Sequence, residues 1–492
     1  MSASRERKNR AQQDMPAAKK SAKKKKKLNE GAVFAICFIS ILVLVIGGII
    51  GYRAYWRCRP IVTIGDHEIT AAQFNYYYRG AVDEMYNSYG SYLSMFGLDT
   101  SKGLKEQSAG ADADGKDVSW AESFADTAQA AVVAQYTMYD MAMADGFVLS
   151  EEIKADLEAE IEAVKGYAAQ NGLSADDYLE AIYGKGATLE SFREYQTVAH
   201  TYSEYVNAQT HTDEEIAARY AAEPTDFDTV SYNLYTVKAS DFVEAAEDGT
   251  TPAVTDAERT EAKEAAEKMV SAFDADDEKV TRYDYRTKEE VTSATTEDAA
   301  NWLYTEADLN GTFVKLFNNE DTYYVLQLID YSDNDYDTAN ILQLFIADDA
   351  EDAVLAEGDL TAQERVDAVT AALKENSSEE NFLALVEQYT DSTADASKLS
   401  GVSRRDSSIP EVVQWLFDKT PKVGDYDIFA IDGGTYFLMY TGAGENYKHH
   451  LVEEKLTEEW YNAAIEAAVY VYDAKAAMHA NVDLILNEIY GS

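Results

Sequence analysis

Histidine and cysteine are scarce in this chain: 492 residues hold six histidines and two cysteines. Neither type occurs from Thr212 to Lys448, nearly half of the sequence. Imidazole and thiol chemistry is thereby excluded from that span. Cys37 lies inside a long apolar run and Cys58 just beyond it, which excludes an internal disulfide. Positive charge is also rare. From Pro60 onward 28 Lys and Arg face 86 Asp and Glu, a net charge of −58, against −47 for the whole chain. Such a surface repels nucleic acid and anionic lipid, so neither is expected as a partner of this region. No P-loop, dinucleotide fingerprint or serine–histidine–acid set is present, and no cofactor is expected.

What is present is ample core material, 46% hydrophobic and 12% aromatic residues, enough for about two to four domains. Residues 31–52 are uncharged and long enough to cross a bilayer core of ~30 Å at ~1.5 Å per residue. Eleven Lys and Arg precede the run against three acids, while only Arg53, Arg57 and Arg59 follow it before Pro60. This asymmetry predicts a basic cytoplasmic tail (1–30), a single transmembrane helix (31–52) in the plasma membrane and an extracytoplasmic remainder. The run exceeds the ~7–15 apolar residues of a signal peptide and no small-x-small cleavage site follows, so the helix is read as an uncleaved anchor.

Beyond the span, capping boxes pair Thr70 with Gln73, Ser174 with Asp177 and Thr212 with Glu215, and Pro224 stops the last helix, which predicts a helical domain over 60–224. Residues 97–118, rich in Gly, Asp, Ser and Lys without periodicity, read as a loop. In the tyrosine-rich helix after Thr70, Phe74, Tyr78, Val82 and Met85 keep one face. Tyr77 and Tyr86 fall off that face and are expected to be exposed, as an adaptable apolar surface for binding polypeptides.

At Asp226 the period becomes alternating, and Val230, Tyr232, Leu234 and Thr236 share one face of a strand. Two stretches, 301–331 and 414–444, then align without a gap at an offset of 113: Trp302 with Trp415, Gly311 with Gly424, Tyr323 with Tyr436 and Tyr324 with Phe437. The expected organisation is two tandem α+β modules of ~100 residues, 225–333 and 337–446, followed by a helical segment, 447–492. Two acidic clusters, Asp112/Asp114/Asp117 and Asp333/Asp335/Asp337, lack the glycine and glutamate positions of a calcium loop, and no metal site is expected there. His449 and His450 are adjacent and cannot share a helix face, so they read as a surface turn.

The order of these elements resembles the extracytoplasmic foldases that join a helical chaperone domain of SurA or PrsA type to parvulin-type peptidyl-prolyl isomerase domains. The helical part carries this in VTIGDHEITAAQFNYYY (62–78), the modules in NFLALVEQYTDS (381–392), QWLFDKTPKVGD (414–425) and GGTYFLMYTG (433–442). The resemblance implies an α+β multidomain chain whose C-terminal helix packs back on the helical domain, and unfolded exported polypeptides as partners. Parvulins place one histidine in the first strand and one in the last. Those positions fall here near Gln343 and Tyr232, and on Tyr436 or Phe437 and Tyr323 or Tyr324. The usual Gly-Gly is replaced by Lys398 and Leu399, and the aromatic of the proline cup falls near Val412, beside Trp415 and Phe417. The function expected is a membrane-anchored chaperone that binds clients through Tyr77, Tyr86, Val412, Trp415 and Phe417 and lacks catalysis. An active prolyl isomerase and an adaptor for one folded envelope partner are the alternatives.

Overall fold

The computed structural model describes Ile46 and residues 51–52, 54–244, 253–307, 314–349, 360–392, 397–407 and 409–490. The predicted tail and nearly all of the predicted span lie outside these residues. Among the described residues no helix is long and apolar enough to cross a membrane. The chain divides into two compact units, Met1–Asn207 with Ala464–Ser492, and Ala208–Ala463.

The first unit is built on α1 (Ala71–Tyr89), α2 (Trp120–Ala144), α3 (Glu151–Gln170), α4 (Ala175–Tyr183) and α5 (Leu189–Asn207). Its starts follow the caps: the Thr70 N–H donates to Gln73 Oε1 at 3.2 Å, and Ser119 and Glu122 exchange bonds of 2.9 and 3.2 Å ahead of α2. Tyr76, Tyr77 and Tyr78 are all buried because α1 has core on more than one side. Tyr78 joins Phe124 and Val132, and Tyr76 joins Ile161, Leu179 and Phe192. The expected exposure of Tyr77 therefore does not hold. The stretch expected as a loop includes a short hairpin, β3 (Ser108–Ala111) with β4 (Asp117–Ser119), whose turn is held by Asp112 accepting from the Asp114 and Lys116 N–H groups at 3.0 and 2.8 Å.

The end of the chain completes this unit. Strand Tyr470–Tyr472 pairs antiparallel with β1 (Val62–Ile64), which also pairs with β2 (His67–Ile69). Ala476, Ala477, Val482 and Leu486 enter the same core, and Tyr78 Oη donates to the Val482 carbonyl at 2.7 Å. Trp56 stacks on His479 with ring centroids 4.2 Å apart, and Arg59 pairs with Asp473 at 2.6 Å. Segment 447–492 is therefore not one helix. It holds a long helix, a strand and short helices, because the strand supplies β1 with a partner that a helix cannot.

The second unit opens with α6 (Asp213–Ala222), which the sequence reading assigned to the helical domain. Module 1 follows as β5 (Thr229–Lys238), α7 (Asp256–Ser271), β6 (Val280–Arg286), α8 (Lys288–Ala294), α9 (Glu297–Thr305), β7 (Val314–Asn319) and β8 (Thr322–Ser332). Module 2 comprises β9 (Asp337–Ala347), α10 (Ala362–Glu375), α11 (Glu379–Tyr389), β10 (Lys398–Val402), α12 (Pro410–Val413) with a π turn over Gln414–Asp418, β11 (Tyr426–Ile431) and β12 (Gly434–Asn446). The antiparallel sheets have the same strand order, β6-β5-β8-β7 and β10-β9-β12-β11. Both faces of each sheet are covered. Leu326 and Leu328 pack with Trp302 on one face of module 1, and Val325 with Ala262 and Ala266 on the other. In module 2 Ile341 and Leu438 pack with Trp415, and Leu344 and Phe437 with Val369 and Phe382.

The duplication is real, but its register is not gap-free. Phe317 faces Tyr324 across one hairpin and Phe429 faces Tyr436 across the other, an offset of 112. The Trp302–Phe317 and Trp415–Phe429 centroids are both 5.8 Å apart, so the tryptophans correspond and the second copy is one residue shorter between Trp and hairpin. The register shift between Tyr232↔Leu328 and Ser231↔Asp330 recurs between Ile341↔Tyr440 and Asn340↔Gly442. Because successive strand residues face opposite ways, the one-residue slip had paired Tyr323 and Tyr436 from opposite faces.

One residue ties the modules to the helix that follows them. Asn334, between β8 and β9, is 1% exposed and left-handed at φ 57°. Its Nδ2 donates to the Phe227 carbonyl at 2.7 Å, its Oδ1 accepts from Thr229 Oγ1 at 3.1 Å, and its carbonyl accepts the Lys448 N–H at 3.0 Å in the first turn of α13 (Tyr447–Ala467). Lys448 Nζ meets both Asp333 and Asp335 at 3.1 Å, so this acidic cluster anchors a helix start. Asn334→Ala is expected to cost about 2–4 kcal/mol, from the left-handed backbone and a buried carbonyl left without its donor. Asn334→Gly, which tolerates that backbone, should cost less. Equal urea midpoints for the two variants and the parent would refute this account.

Candidate functional site

The positions expected to carry function do not converge. Gln343 and Tyr436 share the face of the module 2 sheet that holds Ile341 and Leu438, whereas Phe437 points to the other face and is fully buried. In module 1 Tyr232 and Tyr324 share a face, and Tyr323 lies on the other. Tyr232 corresponds to Ile341 rather than Gln343, since their partners Leu328 and Tyr440 are equivalent. The face expected to form an open cup is filled by its own side chains: Val412 is 4% exposed and Trp415 6%, both in the core with Leu416 and Phe429. Of the expected client contacts in the modules only Phe417 is half-buried. In the first unit Tyr86 stacks on Tyr490, with centroids 3.8 Å apart, and Tyr77 packs edge-on against Tyr195 at 5.0 Å. Both tyrosines are engaged in packing.

The open surface lies elsewhere in the second unit. A cleft of about 1030 Å³ has β6 and α8 of module 1 on one side and the loop and turn around α12 of module 2 on the other. Four of the seven arginines of this unit line it, Arg282, Arg286, Arg404 and Arg405, with no lysine or histidine. Asp284, Glu290, Asp406 and Asp418 also line it, so the cleft is locally balanced within a strongly acidic chain.

Its arginines are held in fixed poses. Arg404 lies 5.0, 5.4 and 5.8 Å from the ring centres of Phe417, Tyr336 and Tyr285, and Nη1 donates to Asp418 Oδ1 at 3.0 Å and to Tyr285 Oη at 3.2 Å. Aromatic faces on a guanidinium supply cation–π attraction and fix its plane. Tyr285 reaches this pose through a left-handed backbone, φ 51°, beside a register shift between β5 and β6, with its N–H donating to Ser231 Oγ at 3.1 Å. A bulky residue in that conformation costs of order 1–3 kcal/mol, which the surrounding contacts must offset. Across the cleft Arg405 Nη2 donates to both Glu290 oxygens at 3.0 and 2.9 Å, and Arg286 Nη1 reaches Oε1 at 3.3 Å. Partial burial opposes ionisation of Glu290, but the Thr287 N–H, Arg405 and Arg286 outweigh it and hold the carboxyl below its usual range.

Sequence reasoning passed over these residues. RYDYR (282–286) and RR (404–405) are the signal, two arginine pairs in an acid-rich chain, but they lie far apart in sequence.

No protein-family model matches the chain, and no curated protein does. Among solved structures it is similar to the crystal structure of PrsA from Bacillus subtilis, at 13% identity over 79% of this chain and 100% of that one, with a TM-score of 0.23. A likeness of that size carries no argument about fold or function.

Two outcomes are expected here. Trp415→Ala should lower stability by about 3–5 kcal/mol in denaturant titrations, as a core residue does and a surface contact does not. The stability contributed by Glu290 is full above the ordinary glutamate value, about 4.3, and is lost as pH falls through its depressed folded value. Glu290→Gln should therefore flatten the acid limb of the stability curve below the ordinary glutamate value, and identical limbs would disprove the link.

Proposed function

We propose that this chain is a membrane-anchored extracytoplasmic chaperone of foldase type that holds unfolded exported polypeptides in the cleft between its two α+β modules. The observation that carries the reading is the cleft itself, with its volume, its guanidinium walls and the rings that fix Arg404. An extended chain offers carbonyls and carboxylates to guanidinium groups and apolar side chains to aromatic rings, so such a surface grips many sequences weakly. The anchor rests on the uncharged run 31–52 and the eleven basic residues before it. The order of helical domain and repeated modules, with the motifs quoted above, supports foldase kinship.

Catalysis is left out of this proposal. No histidine lies in either module, and the sheet face where a proline ring would sit is occupied by Trp415, Val412 and Leu416. Rotation about a prolyl bond needs a dry pocket that lowers a barrier of ~18–20 kcal/mol, and a filled face offers none.

The test is aggregation suppression of a reduced, unfolded client by the full chain, run beside a protease-free prolyl isomerisation assay. Suppression without turnover is expected, and the double variant Arg404→Ala/Arg405→Ala should weaken suppression several-fold with its circular dichroism unchanged. Turnover that disappears on replacing Gln343 or Tyr436 would replace this reading with an isomerase. Neither activity would leave the adaptor for one folded partner.

A further inference from the structure

We propose that Glu445, His449 and Glu453 form a binding site for one divalent transition-metal ion. His449 and His450, which read in sequence as a surface turn, lie in the first turn of α13. The ligands come from the end of β12 and the first two turns of this helix. Glu445 Oε1 lies 3.3 Å and Glu453 Oε2 3.9 Å from His449 Nδ1, and one ligand atom from each residue falls within 4.8 Å of the others. Ligand atoms on one metal with bonds of about 2.0–2.2 Å stand about 3–4 Å apart, which the two separations from His449 match.

Surrounding groups orient the set as metal sites require. Glu453 Oε1 accepts the His211 N–H at 3.4 Å, leaving Oε2 for the site. The far ring nitrogen of His449, Nε2, looks toward Asp213 Oδ1 at 3.6 Å. That separation is longer than a hydrogen bond, so Asp213 adds negative charge near the ring rather than a fixed partner for it. The helix start is itself fixed, because the Tyr447, Lys448 and His449 N–H groups are taken up by the Tyr336 and Asn334 carbonyls and Asn446 Oδ1.

Charge also favours a cation. Among the described residues the basic groups within 4 Å of Glu445, Glu453 and Asp213 are the imidazoles of His449 and His450, while the Lys448 ammonium is drawn off to Asp333 and Asp335. One nitrogen and two carboxylate donors with open positions for water suit Zn²⁺, whereas Ca²⁺ prefers an all-oxygen shell.

The test uses the full chain, stripped with EDTA and titrated separately with Zn²⁺ and Ca²⁺ by calorimetry. One Zn²⁺ per chain is expected, bound at least tenfold tighter than Ca²⁺. His449→Ala and Glu453→Gln should each weaken Zn²⁺ at least tenfold. His67→Asn, in the first unit, should leave it unchanged. Thermal melts of each variant in EDTA should match the parent, so that lost binding is not lost folding. No bound Zn²⁺, equal affinity for Ca²⁺, or Zn²⁺ affinity unaltered in both His449→Ala and Glu453→Gln would overturn the site.

Discussion

The second unit depends on a single buried amide. Asn334 sits where one module ends and the next begins, and through its side chain and carbonyl it holds the chain before β5, the start of that strand and the first turn of α13. Its backbone is left-handed in the link between β8 and β9, and asparagine reaches that conformation at less cost than most residues. The acids on either side, Asp333 and Asp335, are neutralised by Lys448 from that same helix turn. The acidic link between the two modules is thus a packed joint. Both the arginine cleft and the carboxylate–histidine cluster are set by elements that meet there.

Much of the architecture was legible. The capping boxes mark where helices start, the change to alternating periodicity at Asp226 marks the first sheet, and the paired tryptophans mark the duplication. What was not legible follows from strand geometry and distance. Tyr323–Tyr324 and Tyr436–Phe437 are aromatic doublets, so sliding one copy by one residue still matches ring to ring, and only the pairing register shows which ring faces which core. Tyr77 and Tyr86 fall off the expected face, but Tyr77 enters the same core as Phe74 and Tyr78, and Tyr86 has Tyr490 across from it. The cleft could not be read because Arg286 and Arg405 share Glu290 only after two modules have folded.

Charge is distributed unevenly between bulk and site. From Pro60 onward the chain carries an acid excess that favours solubility and discourages nonspecific anion binding. Against it, four arginines gathered in one cleft and matched by four acids make a place where the repulsion is locally cancelled. Each guanidinium there is already in an ion pair, so an arriving carboxylate competes for partners rather than meeting bare charge. Exchange of that kind favours short-lived contacts over tight ones.

The pairing of strand Tyr470–Tyr472 with β1 has a consequence for the order of events during synthesis. The first unit begins near the start of the chain but lacks an edge strand and part of its core until the end has been made. The whole second unit is translated in between. At about 5–20 residues per second, its roughly 250 residues impose a wait on the order of ten to fifty seconds. The helical layer must stay unfinished for that time, and the second unit, whose contacts lie within its own sequence, has the opportunity to fold first.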